Sequence, residues 1–305
     1  MNPGITHAIG IDVGGTKIAG GLVELNTGRV LARRHHPTLP QRGGEAVLAD
    51  VLHQARDLAA EARSRNMPAI AIGIGMPQLV TPDGHVRSDH LFDWRNVRAA
   101  ERLSEIAPAR LESDVRAAAW AEARFGAGQG HEIFCYIGIG TGVSYCLVMN
   151  GRPFAGARGY AIHFATMPQS IRCRACGVMH TAILEQTASG PGIAAAYGVR
   201  RGREVASAEE VLAAATAGDR DAIAVIDDAA IELGAAIGQM VNMLDPHALV
   251  IGGGLGLAGG YYGERLAGAI RDHVFAPDAR GLPILSAELG PDAGIVGAAL
   301  AAAAH

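Results

Sequence analysis

An aspartate, two glycines, a threonine and a lysine fall within six residues near the start of the chain, as Asp12-Val13-Gly14-Gly15-Thr16-Lys17. The apolar run Ile9-Gly10-Ile11 precedes them, and Ile18 to Leu22 follows. An acidic residue at the end of a buried strand is costly to bury and well placed to face a cleft. Two glycines let backbone N–H groups approach an anion closely, because no Cβ stands in the way. Thr16 adds a hydroxyl donor, Lys17 a positive charge, and Asp12 a carboxylate that can hold Mg²⁺ directly or through water. The combination suits a nucleotide triphosphate. The bland alternative is a hairpin closed by a plain Gly-Gly turn. The spacing is not G-x-x-x-x-G-K-[ST], and the continuation is strand-like, which disfavours a P-loop ATPase.

These residues need elements to hold them. Strand-like runs occur at residues 7–13, 18–25 and 29–36, with Asn26-Thr27-Gly28 between the last two, and predict a meander. A helical pattern covers 46–65, and a buried strand follows at 69–74. Residues 98–106 read as helix, 109–112 as a short strand and 115–125 as helix. A second strand pair, 133–139 and 143–149, is joined by Gly140-Thr141-Gly142. Residues 150–182 read as one long irregular segment holding Cys173 and Cys176, a kind of loop that is usually functional or stapled by metal. Helices then dominate to Leu244. A strand at 248–251, the run Gly252-Gly253-Gly254, a helix, a short strand at 283–286 and a terminal helix from Asp292 complete the chain.

At 305 residues the length favours about two domains. A formal net charge of −4, with no basic tail, excludes a nucleic-acid footprint. No basic and apolar leader opens the chain, and no apolar stretch reaches transmembrane length, so a cytoplasmic protein is expected. Four cysteines in a chain this long make no disulfide framework. The 41 glycines cluster in short runs, which are candidate ligand-contact turns.

Strand–glycine–strand openings near residues 12 and 140 point to two similar α/β halves, the pattern of the actin-like sugar-kinase and heat-shock-ATPase fold. Taken together, the motifs resemble the ROK family of sugar kinases and sugar-responsive repressors. Asp12 to Lys17 looks like its N-terminal phosphate motif, and Gly73-Ile74-Gly75-Met76-Pro77 like its GIGxPG turn. Ser113-Asp114 before an alanine-rich helix is similar to its Asn-Asp catalytic segment, and Gly140-Thr141-Gly142-Val143 to its second phosphate hairpin. Leu184-Glu185 leading to Ala188-Ser189-Gly190-Pro191 resembles the segment after its zinc loop. Asp245-Pro246 through Gly252-Gly253-Gly254, and Leu289 to Gly294, complete the match in the family's order.

The resemblance implies a two-domain α/β actin-like ATPase (ribonuclease H-like) fold with an interdomain cleft. Residues 1–114 and 292–305 would form the N-terminal domain, and 115–291 the C-terminal one. Asp12 would organise Mg²⁺. Gly14, Gly15, Thr16 and Lys17, with Thr141 and Gly142, would cradle the phosphates of ATP, and Gly253 and Gly254 would lie against adenosine. Asp114 would accept the proton of the attacking sugar hydroxyl; its competing role is a helix N-cap, shared with Ser113. Glu185 would be an acidic sugar contact, or else a solvated helix charge. Gly75, Pro77, Gln78 and Ser113 fall on substrate-binding positions. A homodimer is expected from the same resemblance.

The departures from the family cluster on the sugar side. Gln78 replaces a glycine and Ser113 the asparagine before the catalytic aspartate. Gly156-Ala157-Arg158-Gly159-Tyr160-Ala161 begins like the family's GAxGxAGExGH segment but continues as Ile162-His163. Aligned without a gap, His163 replaces a sugar-binding glutamate and Thr166 the histidine that touches sugar and ligates zinc; Met167-Pro168 favours this register. Aligned by distance to the cysteines, His163 is the zinc histidine. The family's C-x-C-G-x-x-G-C becomes Cys173-x-x-Cys176-Gly177-x-x-His180. Cys-x2-Cys is good zinc spacing, and His180 with His163 would complete a tetrahedral set; the alternative is two reduced thiols in a turn.

Exchanging a carboxylate for an imidazole changes which hydroxyls a pocket rewards, since neutral histidine accepts one hydrogen bond and donates one. Plain glucose is therefore not the expected best substrate. An amino or otherwise modified hexose, such as kanosamine or an N-acetylhexosamine, fits better. The leading reading is an ATP-dependent hexose kinase acting at O6. The alternative is a non-catalytic sugar- or nucleotide-binding regulator. With the phosphate motif starting at residue 12, no room is left ahead of it for a DNA-binding helix-turn-helix, so repression through DNA is not expected.

Overall fold

The opening meander forms as the sequence predicts. β1 (His7–Val13), β2 (Lys17–Glu24) and β3 (Val30–Pro37) pair antiparallel in succession, with Asp12 opposite Ala19. The computed structural model describes residues 7–172 and 177–304. After α1 (Gly44–Ser64) come β4 (Ile72–Met76), α2 (Ala99–Ser104), β5 (Ala109–Ser113) and α3 (Asp114–Phe125). β4 runs parallel to β1 and β5 parallel to β4, giving the order β3-β2-β1-β4-β5. The strand expected at 69–74 lies slightly later. The Ile70 amide donates to the His7 carbonyl and the Ala71 carbonyl accepts from Ile9, but the ladder itself runs from Ile72 to Met76, because Gly75 pairs with Asp12 and Met76 with Ser113.

The chain continues through β6 (Ile133–Ile139), β7 (Val143–Met149), β8 (Arg152–Pro153), β9 (Pro168–Arg172) and β10 (Met179–Ile183). Helices α4 (Leu184–Ala188), α5 (Gly190–Arg201), α6 (Ala208–Thr216) and α7 (Arg220–Leu244) follow. Then come β11 (Ala248–Gly252), α8 (Gly260–His273), β12 (Ile284–Ser286) and α9 (Ala293–Ala303). The segment 150–182 is not wholly irregular as expected: β9 and β10 form an antiparallel ribbon with Pro168 opposite Ile183. So short a ribbon gives little room for the alternating pattern that announces a strand in sequence. A second five-stranded sheet has the order β12-β11-β6-β7-β8, with β12, β11 and β6 parallel.

The described residues divide into two compact units. One holds the chain up to Glu132 with Cys146–Ile162 and the segment from Glu288; the other holds Ile133–Tyr145 and the described part of His163–Ala287. α3 therefore belongs to the first unit, whereas the sequence reading placed a boundary at its start. No described helix is long and apolar enough to cross a membrane.

In the first unit, bulky residues alternate with small ones along β1 and β4, and a period of two sends each set to its own face. Ile9, Ile11, Val13, Ile72, Ile74 and Met76 join Val47, Leu48, Val51 and Leu58 of α1 in one apolar cluster. Ala8, Ala19 and Val23 face the other way, packed with Ala121 of α3 and Ile295, Val296 and Ala299 of α9. On that second face a Cβ at Gly10 or Gly73 would run into the Ile295 or Ala298 carbonyl, and one at Gly297 into the Ala117 carbonyl. The small residues let α9 lie almost on the sheet, which brings its first turn to the end of β1.

Candidate active site

Asp12 shares the face of β1 that α9 covers. It is half-buried at the strand's C-terminal end, beside Gly75 of β4. A Cβ on Gly294 would stand 2.6 Å from Asp12 Cγ, so only glycine lets the first turn of α9 meet this carboxyl. Burial, and after it the Asp114 carboxylate, push the Asp12 carboxyl up to about 7, while Lys17 acts in the opposite direction. The Gly14-Gly15-Thr16 turn follows. The Gly14 amide donates to the Lys17 carbonyl at 2.9 Å, and Gly15, Thr16 and Lys17 are exposed.

Asp114 is the first residue of α3. Ser113 occupies the cap position, fully buried, but makes no capping hydrogen bond through its side chain. Asp114 Oδ1 accepts from the Val115 amide at 2.7 Å. Burial raises the Asp114 carboxyl above the usual carboxylate range, against the lowering effects of that amide and of the Arg116 guanidinium. Two acidic groups of one unit are thus each hard to ionise in the protein alone, and the charge of Asp114 bears on Asp12. Such an all-oxygen pair suits a hard divalent cation, which would offset both charges.

Arg116 was not singled out in sequence, yet it is only 2% exposed. Its Nε donates to Glu112 at 2.6 Å, one terminal nitrogen to the Gly159 carbonyl at 2.7 Å and the other to the Val80 carbonyl at 2.7 Å. Glu112 also accepts from the Ser113 amide at 2.8 Å. One guanidinium thereby rivets the loops at Val80 and Gly159 to the helix that begins with Asp114. At the other end of α3, buried Glu122 accepts from the amides of Ala127, Glu288 and Leu289. The helix carrying Asp114 is held at both ends.

Gln78, expected to face substrate, is instead 3% exposed and spends its amide on the fold. Nε2 donates to the Phe92 carbonyl at 2.9 Å, and Oε1 accepts from the Ser88 hydroxyl and the His90 amide. Pro77 next to it is half-buried.

In the second unit two glycine turns leave the C-terminal ends of the parallel strands β6 and β11, where α/β sheets commonly bind ligands. The Gly140 amide donates to the Gly142 carbonyl at 2.9 Å, and Thr141 is exposed. Gly253 has φ +81, and a Cβ there would run into the Ile139 carbonyl; Gly254 is exposed with open space around it. The amides of Leu255 and Gly256 both donate to the Ile139 carbonyl at 3.0 Å, tying the two turns together. Glu185 Oε2 accepts from the Val143 amide at 2.9 Å, and the Glu185 amide donates to Ala165. One residue links the phosphate-type turn to the segment holding His163 and Thr166, both exposed.

Cys173 and Cys176 lie outside the described residues, as does the side chain of His180. Among the described residues no group of three or more His, Cys, Asp or Glu is arranged to hold a metal. The residues that sequence reasoning missed (Arg116, Glu122) act on distant partners, and Gly294, read only as part of a motif, proves to be a close neighbour of Asp12. One signal was available: bulky residues alternating with glycine in Ile9-Gly10-Ile11 and Ile72-Gly73-Ile74-Gly75-Met76 mark a strand face closely covered by a helix.

The family model of the ROK family matches residues 8–305. A glucokinase of Halalkalibacterium halodurans is 33% identical over 95% of this chain and 92% of its own length. An N-acetylmannosamine kinase of Escherichia coli is 31% identical over 96% of this chain and 97% of its own. Among solved structures, a ROK family glucokinase from Streptomyces griseus in complex with glucose and AMPPNP superposes with a TM-score of 0.80. It is 28% identical, over 98% of this chain and all of that one.

Proposed function

The chain belongs to the ROK family, and on that premise we propose that it is an ATP-dependent kinase of a hexose or a modified hexose, transferring phosphate to O6. The observation that carries the reading is that Asp12, fit to organise Mg²⁺, lies within electrostatic reach of Asp114, fit to act as base. Phosphoryl transfer asks for positioning and charge neutralisation more than for covalent work. Mg²⁺, when bound, would neutralise charge on the phosphates, with Asp12 as its protein ligand. Asp114 accepts the proton of the sugar hydroxyl; its raised pKa brings it closer to the operating pH than an ordinary aspartate. In the first unit the turn at 14–16 would offer amides to phosphate; in the second, the turns at 140–142 and 253–254 would offer amides and bare backbone to nucleotide.

The substrate class follows from the sugar-side residues. In the ungapped register His163 and Thr166 take the places of the family's glutamate and histidine, and Glu185 already spends one carboxylate oxygen on Val143. Fewer carboxylate oxygens remain for sugar hydroxyls, which favours an amino or N-acetylated hexose over glucose. The relatives' names span both kinds of sugar. The test is coupled ADP release with Mg-ATP across glucose, kanosamine and N-acetylhexosamines, beside the Asp114→Asn variant. Turnover on one sugar, lost in the variant, supports the reading. Silence on every sugar, with ATP still bound, would replace it with a non-catalytic regulator, and glucose preferred by a wide margin would overturn the substrate class.

Two further proposals rest on the resemblance and on spacing. The first is a homodimer, which a monomeric mass by light scattering would overturn. The second is zinc held by Cys173, Cys176, His180 and His163, which metal analysis of the purified protein tests.

A further inference from the structure

Thr38 follows β3 directly and is fully buried. Its hydroxyl donates to the Gly14 carbonyl at 2.6 Å, and its amide donates to the Thr16 carbonyl at 3.1 Å. Strand pairing between β2 and β3 ends at Lys17 and Pro37, so Thr38 carries the contact one step further, onto the turn itself. Thr38 is held in its turn by Arg42, whose guanidinium donates to the Thr38 carbonyl at 3.3 Å.

A turn that binds an anion must keep its carbonyl oxygens away from it, because a peptide unit rotated the wrong way presents a partial negative charge instead of an N–H. Two consecutive glycines resist such rotation less than any other pair of residues. The turn therefore needs an anchor from outside, and its two flanking carbonyls are both taken by one buried threonine. We propose that Thr38 is a positioning residue for nucleotide phosphate, holding the Gly14 and Thr16 carbonyls inside the protein so that the turn offers amides outward. The inference rests on the kinase reading and deepens it, since Thr38, fully buried, acts through the turn.

The variants are Thr38→Val, which keeps shape and loses the hydroxyl, Thr38→Ala as a second removal, and Thr38→Ser, which restores the donor. KM for ATP, KM for the sugar and the melting temperature are measured for each, with Mg-AMPPNP binding followed by calorimetry. Loss of one buried hydrogen bond should raise KM for ATP about five- to tenfold and weaken AMPPNP equally, with sugar KM within about twofold of wild type and Thr38→Ser close to wild type. Unchanged nucleotide affinity in Thr38→Val and Thr38→Ala would overturn the proposal. So would ATP and sugar KM rising together with a falling melting temperature, the mark of a merely structural role. A wild-type protein silent on every sugar defeats the kinase reading alone. Calorimetry then decides Thr38 independently: weaker AMPPNP binding in Thr38→Val supports it, while equal binding, or none in wild type, overturns it.

Discussion

Asp114 is the first residue of α3, just inside the cap position that Ser113 holds, so its carboxyl can serve the helix N-terminus as well as the chemistry. The two roles part experimentally. As the base, Asp114→Asn should lower kcat by about 10²–10⁴-fold while nucleotide affinity by calorimetry stays within about twofold. A cap alone would lower the melting temperature and leave kcat standing. Asp12 makes a separate statement about pH. Its folded-state pKa, about 7, lies above the ordinary 3.8, so the folded protein prefers the protonated carboxyl. No stability is lost on its account below about pH 4, the loss builds as pH rises towards 7, and it is complete above. Without divalent cations, Asp12→Asn should therefore be more stable than wild type at pH 8, by on the order of 2 kcal/mol after allowing for solvent screening, and nearly equal at pH 4. Chemical denaturation at the two pH values checks this. A wild type as stable as the variant at pH 8 would sink the account of the acidic pair.

At the scale of elements, α3 matters most, because it carries Asp114 and is pinned at both ends. Arg116 is the more telling pin. A lysine could not replace it, since a single ammonium cannot reach a carboxylate and two carbonyls in the fork geometry of a guanidinium. Arg116→Met would leave Glu112 buried without its ion pair and the Val80 and Gly159 carbonyls without donors. The expected cost is about 3–5 kcal/mol in urea denaturation, and Glu112→Gln in the same chain should recover part of it. An Arg116→Met protein as stable as wild type would show that these loops do not depend on the guanidinium. The contrast between α1 and α9 is also an element-scale result. α1 packs through large aliphatic side chains on the bulky face of the sheet, whereas α9, mostly alanine and glycine, packs by proximity on the bare face. That proximity puts Gly294 against Asp12.

For the whole molecule, ligand linkage gives the most direct readout. Mg-AMPPNP at a hundred times its Kd should stabilise the protein by about 2.7 kcal/mol, and EDTA should remove most of that gain if Asp12 works through Mg²⁺. A nucleotide shift indifferent to EDTA would contradict the role given to Asp12. Taken alone, the sequence determined the short motifs and the order of strands and helices outside the β9–β10 ribbon, because those depend on local periodicity and on residue types a few positions apart. Asp12 to Lys17, Ser113-Asp114 and the turns at 140–142 and 253–254 were all legible for that reason. Only the tertiary structure decided what holds them in place. Thr38 meets a carbonyl 24 residues away, and Arg116 meets carbonyls 36 and 43 residues away. It likewise decided that Gln78 serves the fold, and that the Asp114 carboxylate bears on the Asp12 carboxyl. A buried hydrogen bond or a desolvated charge is set by which distant backbone folds beside it, and no spacing within a local window encodes that neighbour.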